Sequence, residues 1–360
     1  MEIKPLKIGD LVAKIPVIQG GMGIGISLSS LAGAVAAQGG IGIISTAQIG
    51  FRKEGFQKNP LETNLEAIKE EIERAKEISN GGIVGVNIMV ATRKYEEYVR
   101  AAVKAGADLI ISGAGLPMTL PSLVEGSSIK LAPIVSSLKS LDVICRYWQK
   151  KYNRLPDAVI IEGPKAGGHL GFSLEQLEMG NSLNYEEEIK KIIARVKDLT
   201  DKEQKEIPVI VAGGIYQRKD MEKALSLGAN GVQIATRFVT TYECDASDAY
   251  KQTYINAKKE DIVIVKSPVG MPGRAIRNDF IKQAEKGQIP HGRCYQCLSI
   301  CKPADTPYCI TEALINAAEG NVDKGLLFCG ENAYRATKIE HVADIMKEFS
   351  NTSDRNGELS

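Results

Sequence analysis

Short, wholly apolar runs recur along the chain, separated by segments in which apolar residues return every three or four positions. The runs fall at residues 17–20, 41–45, 83–89, 109–112, 131–135, 158–161, 208–212 and 231–235. They do not alternate with polar residues, so they have the character of strands buried on both faces, as in a parallel sheet. All but the last are followed by a segment that can be helical. The clearest of these spans 63–79: Thr63 and Glu66 match a capping box, Leu65, Ile68, Ile72, Ala75 and Ile78 share one face, and Asn80-Gly81-Gly82 offers a left-handed stop. Glycine precedes the next strand again at Gly39-Gly40, Gly106 and Gly228. Parallel strands require such crossovers, and eight of them predict a closed (β/α)8 TIM barrel rather than an open sheet.

The pattern changes after residue 239. We expect a barrel domain over 1–239 and a smaller helical lid over 240–310 that carries a cysteine-rich segment. Helices over 311–350 are expected to return to the barrel, and 351–360 reads as a disordered polar tail. The 360 residues are 44% hydrophobic and 25% charged, with 45 Lys+Arg against 44 Asp+Glu. That balance gives no general attraction to nucleic acid or to an anionic membrane. The first residues lack the apolar core of a signal peptide, and no apolar run is long enough to span a bilayer. A cytoplasmic enzyme with reduced thiols is therefore expected, with a homodimer left open.

In such a barrel, ligands sit at the C-terminal strand ends, with phosphate held after the seventh and eighth strands. Gly213 and Gly214 end the seventh run, where bare backbone N–H groups suit an anion. The eighth ends in Gln233-Ile234-Ala235-Thr236-Arg237, adding a hydroxyl and a cation. After the first run, Gly20-Gly21-Met22-Gly23 forms a ledge without the spacing of a dinucleotide fingerprint. The sixth run ends in Glu162-Gly163-Pro164-Lys165-Ala166-Gly167-Gly168-His169. This places one of only three histidines at a strand end, within a glycine-rich turn, and makes it the leading candidate for chemistry.

Taken together, IQGGM (18–22), GVNIM (85–89), EGPKAGGH (162–169), VAGGI (211–215) and QIATRF (233–238) resemble the nitronate monooxygenase family, which includes flavin-dependent enoyl-acyl-carrier-protein reductases. PGRAIRN (272–278) and EGNVDKGLLFCGE (319–331) are similar to it as well. The resemblance implies an FMN-dependent oxidoreductase. By position, Met22 and Gly23 would lie against the flavin ring and Asn87 would face it. Gly213, Gly214, Ala235 and Thr236 would hold the phosphate, with Gln233 nearby, and Glu162, Lys165 and Gly168 would complete the cofactor site. His169 would be the base that takes a proton from a nitroalkane or handles a nitronate. The alternative activity is NAD(P)H-dependent reduction of an enoyl thioester. The substrate is then a small molecule or an acyl thioester, and a basic patch of Lys258, Lys259, Lys266, Arg274 and Arg277 would dock an acidic carrier protein. Lys165 stands where many relatives have an acidic residue.

Two competing readings keep the barrel but change the function. One is a barrel of the inosine-monophosphate dehydrogenase type, with a loop cysteine as nucleophile. The other is a non-catalytic flavin or metal sensor. The second draws on Cys294, Cys297, Cys301 and Cys309, an insert absent from the best-known relatives. Four thiols in so short a span suggest a shared iron–sulfur cluster or zinc, with His291 as a further zinc ligand.

Overall fold

The structure, a computed structural model, describes residues 2–290 and 292–350, so the tail expected at 351–360 lies outside the described residues. Eight parallel strands close into a barrel. They are β1 (Val17–Gln19), β2 (Ile41–Ser45), β3 (Ile83–Met89), β4 (Leu109–Gly113), β5 (Lys130–Val135), β6 (Val159–Glu162), β7 (Val209–Ala212) and β8 (Gly231–Ile234). Neighbours pair in chain order, and the ring closes where Val232, Gln233 and Ile234 of β8 face Val17, Ile18 and Gln19 of β1. The expected strands are all present, each end within one residue of its expected place.

The apolar runs are continuous because each strand buries both faces. Ile18, Ile43, Leu109, Ile111, Ile160 and Ile210 point inward and fill the barrel, while Val17, Ile44, Val84, Val86, Val159 and Val232 pack outward under the helices. An antiparallel hairpin, Leu6–Ile8 with Leu11–Ala13, places Leu6, Ile8 and Ala13 in the inner cluster and plugs the N-terminal end. Full burial of each such aliphatic side chain contributes about 1.5–3 kcal/mol.

Two local expectations need correcting. The helix expected over 63–79 runs over Pro60–Ser79, with Pro60 at its first turn and Asn59 as cap, accepting the Glu62 N–H. Proline at the first helical position lacks the N–H that would go unbonded there, so it extends the helix backward. Thr63, no longer at the boundary, donates its hydroxyl back to the Asn59 and Pro60 carbonyls. Nor is the lid purely helical. Ile262–Lys266 and Pro272–Ile276 form an antiparallel hairpin, and Gly168–His169 from the barrel loop joins it as a third strand. The run Ile262-Val263-Ile264-Val265 before a Pro/Gly turn is β-favouring sequence.

Arg237 also lies elsewhere than expected. It turns away from the barrel mouth, is buried, and pairs with Glu340 at 3.2 Å and Glu348 at 2.7 Å while donating to the Tyr216 carbonyl. Glu348 belongs to the last described helix, Val342–Phe349, whose Val342, Ile345, Met346 and Phe349 are in the main core. Arg237 thus fastens the end of the chain to the barrel. Arg237→Met leaves Glu340 shielded without its cation, while Glu348 is partly exposed and keeps the Arg218 N–H, and we expect a loss of about 1–2 kcal/mol in urea unfolding. Loss within 0.5 kcal/mol of zero would mean that the apolar face of the helix alone secures it.

Candidate functional site

A cavity of about 250 Å³ opens at the C-terminal ends of the strands. It gathers the twelve barrel residues expected at the cofactor and catalytic site. Met22 and Gly23 come from the loop after β1, and Asn87 from β3. Glu162 ends β6, and Lys165, Gly168 and His169 follow it. Gly213 and Gly214 follow β7, Gln233 lies in β8, and Ala235 and Thr236 come just after.

The loop from 163 to 169 keeps its course through one buried guanidinium. Arg274, on the Pro272–Ile276 strand, donates to the carbonyls of Pro164 (2.9 Å) and Ala166. Its own carbonyl accepts the Cys329 N–H at 3.0 Å, bringing residues 328–330 over the loop. That contact is close: a Cβ on Gly167 would lie 2.5 Å from the Cys329 carbonyl carbon, so only glycine fits there. Two further bonds hold the returning segment, from Gly330 N–H to Thr236 Oγ1 (3.0 Å) and from Asn332 Nδ2 to the Gly214 carbonyl (2.8 Å). Gly213 and Gly214 have φ of +93° and +84°, and a Cβ on Gly214 would press on Lys165 at 3.2 Å.

His169 is clasped on two sides. Its Nε2 lies 2.7 Å from Ser267 Oγ, which also accepts the Val269 N–H at 3.3 Å, and Phe328 packs edge-on against the ring at 4.9 Å. Burial without a charged partner pushes the imidazole down to about 4, so it is neutral through the physiological range. The same cause pushes the Glu162 carboxyl up to about 8. Lys165 stands 3.5 Å from Glu331. Gln233 Oε1 is buried with no hydrogen-bond partner from the protein, which marks it as an acceptor for something the cavity would hold.

The outer wall was largely missed by sequence reasoning. It is built by Tyr250, Tyr254, Val269, Leu298, Ile310, Leu314 and Phe328, all beyond the barrel. The 272–278 and 319–331 motifs were the available signal, because they flank the segments that return to the site.

Two expectations for the lid find no support. Among the described residues, no three His, Cys, Asp or Glu side chains are grouped to hold a metal ion, so an iron–sulfur or zinc site at Cys294, Cys297, Cys301 and Cys309 is not supported. The segment lies along the loop after β3, with Arg93 N–H on the Cys297 carbonyl and Ser299 N–H on the Ala91 carbonyl, each 3.0 Å. Cys297 thereby enters the cavity lining while Cys294 is exposed. His291 lies outside the described residues. The basic patch is also depleted: Arg274 is buried under the 163–169 loop, and Arg277 pairs with Glu285 at 2.6 Å.

The architecture defines a class: a (β/α)8 barrel whose ligand site is at the C-terminal mouth, roofed by the chain that follows the eighth strand. The nitronate monooxygenase family model matches residues 4–351, and the chain belongs to that family. A probable nitronate monooxygenase of Staphylococcus aureus (strain Newman) is 34% identical over 139 residues, which are 37% of this chain and only 36% of that protein's length. Among solved structures, FabK from Thermotoga maritima is similar over 94% of this chain and 92% of its own, at 25% identity and a TM-score of 0.71. A nitroalkane oxidase from Streptomyces ansochromogenes shares the fold at 18% identity, covering 93% of this chain and 94% of its own, with a TM-score of 0.70. No helix among the described residues is long and apolar enough to cross a membrane.

The part-buried Glu162 makes a pH prediction. Its folded pKa lies above the ordinary 4.5, so the folded state holds a proton that the unfolded chain releases. Stability from this group is complete below about pH 4.5 and declines as pH rises through about 8. Urea midpoints of wild type relative to Glu162→Gln should therefore fall between pH 5 and pH 9. A constant difference would show that the carboxyl is already ionised in the fold.

Proposed function

We propose that the chain is an FMN-dependent oxidoreductase that acts on a small nitronate or nitroalkane, with His169 as base. The observation that carries the reading is His169 itself, a part-buried and uncharged imidazole lining the cavity that also contains the paired glycine turns and the unpartnered Gln233 oxygen. The residues present fit FMN. Gly213 and Gly214 offer backbone N–H groups to a phosphate, and Thr236, already accepting from Gly330, retains its hydroxyl proton to donate. Gln233 Oε1 needs a donor, which a ribityl hydroxyl or a ring N–H provides. Met22, Gly23 and Asn87 border the same space, and Lys165 brings a cation close to the Gly214 turn.

Bound FMN supplies the two-electron redox chemistry. The chain's own task is the proton. With Nε2–H donating to Ser267, Nδ1 keeps the lone pair. The nitroalkane α C–H bond breaks, its electron pair remains on the substrate as the nitronate, and the proton passes to Nδ1. Ser267 accepts from the resulting imidazolium. The lowered pKa makes His169 a weak base in isolation, and the nitronate anion formed beside it favours the charged ring. A substrate supplied as nitronate needs no such transfer.

A second reading, reduction of an enoyl thioester with NAD(P)H as donor, draws support from the apolar outer wall, which suits an acyl chain.

Three measurements test the proposal. Heat denaturation should release a chromophore with the mass of FMN, and protein that remains colourless after incubation with excess FMN would sink the reading. Gly214→Val, strained at φ +84° and crowded by Lys165, should raise the FMN Kd by about tenfold or more. His169→Asn should keep FMN and lose about 10²–10⁴-fold in nitroalkane turnover, with a smaller loss on preformed nitronate. Equal losses on the two would remove His169 as base. NAD(P)H oxidation with a crotonyl thioester, without oxygen uptake on nitronates, would select the second reading.

A further inference from the structure

Among the described residues, the cap side of the cavity contains no charged side chain. Its apolar surface comes from Val269, Leu298, Ile310, Leu314 and Phe328. Ile310 and Leu314 stand one turn apart on the helix Ile310–Glu319 and so share a face. The polar groups on this wall are few and neutral. The Tyr250 and Tyr254 hydroxyls both donate to the Phe328 carbonyl, and burial raises both phenols. Cys297 is raised to about 11 by burial and stays a thiol.

Among the described residues, the barrel side adds three ionisable groups. His169 is uncharged, Glu162 is protonated near neutrality, and Lys165 faces Glu331 beside the Gly214 turn. No arginine lines the cavity among the described residues. A carboxylate on the far end of a substrate would therefore lose water against the cap and meet no cation, an arrangement that carries a large desolvation penalty.

We propose that this site selects substrates with an uncharged, apolar tail and rejects those whose tail ends in a carboxylate, with Leu298, Ile310 and Leu314 setting the preference. The inference rests on the oxidoreductase reading for the chemistry at the other end of the substrate. It assigns the cysteine-rich segment a role that needs no metal: through Cys297 and Leu298 it forms part of the selective wall.

Two nitronates of matched length make the test, those of methyl 4-nitrobutanoate and of 4-nitrobutanoate, which differ by one negative charge at the tail. With FMN-loaded protein, kcat/KM for the ester should exceed that for the acid by about 30-fold or more, the scale set by burying an uncompensated charge. Equal values, or preference for the acid, overturn the proposal. Leu314→Lys places a cation on the wall and should narrow the gap to about threefold or less. Ile310→Lys makes the same test should the first variant lose its flavin. An unchanged gap in a variant that binds FMN and unfolds cooperatively overturns the assignment to these residues. If neither nitronate is oxidised, the nitronate reading falls, and calorimetric titration of the two parent nitro compounds still decides selectivity. Binding of the ester about tenfold tighter or more supports it, and equal binding overturns it.

Discussion

The guanidinium of Arg274 is the constraint on which the site depends. A glycine-rich turn at the end of a barrel strand has little to fix its path, since glycine restricts neither φ nor neighbouring side chains. By bonding the Pro164 and Ala166 carbonyls, Arg274 fixes that path from the cap side. Its own strand then pairs with Gly168 and His169, so the same residue sets the register of the histidine. Loop, cap hairpin and the returning 328–330 segment thus form one hydrogen-bonded assembly. Buried donors to two carbonyls are costly to remove, because both acceptors would be left without water or partner.

The ionisable groups around the cavity follow a common rule. Where a charge is wanted for structure, it is paired away from the cavity, as Arg237 is with Glu340 and Glu348. Of the titratable groups that face the cavity, burial holds His169 and Glu162 neutral, while Lys165 is paired with Glu331. A neutral imidazole can accept a proton, and a neutral carboxyl can donate a hydrogen bond to a ligand. Their opposite pKa shifts have the same origin in desolvation.

The barrel was legible because its signal is local. Each strand buries both faces, so every strand is a continuous apolar run, and strand ends could be placed to within a residue. The twelve barrel-borne candidates were found because strand ends in a closed parallel barrel converge on one mouth. What could not be read depended on contacts distant in sequence. Arg237 lies next to Thr236 in the chain, yet it serves a helix a hundred residues later. Arg274 looked like one of a group of surface cations until its partners, 110 and 108 residues away, were known. The cysteines were close in sequence, but their spacing could not show that the segment lies along the 91–93 loop and carries Cys297 into the cavity lining. The Ile262–Lys266 strand was missed inside a region read as helical, although its composition already favoured β structure.

The roof of the cavity has a consequence for synthesis on the ribosome. All eight strands have been translated once Ile234 is in place, but the bonds that seal the mouth come from Arg274, Cys329, Gly330 and Asn332. At ordinary elongation speeds this delay is about 5–20 seconds. During that interval a nascent barrel can close while its C-terminal mouth remains open and apolar. A growing chain in this state presents a sticky surface that the finished protein hides, and early encounter with a cofactor or a chaperone would cover it.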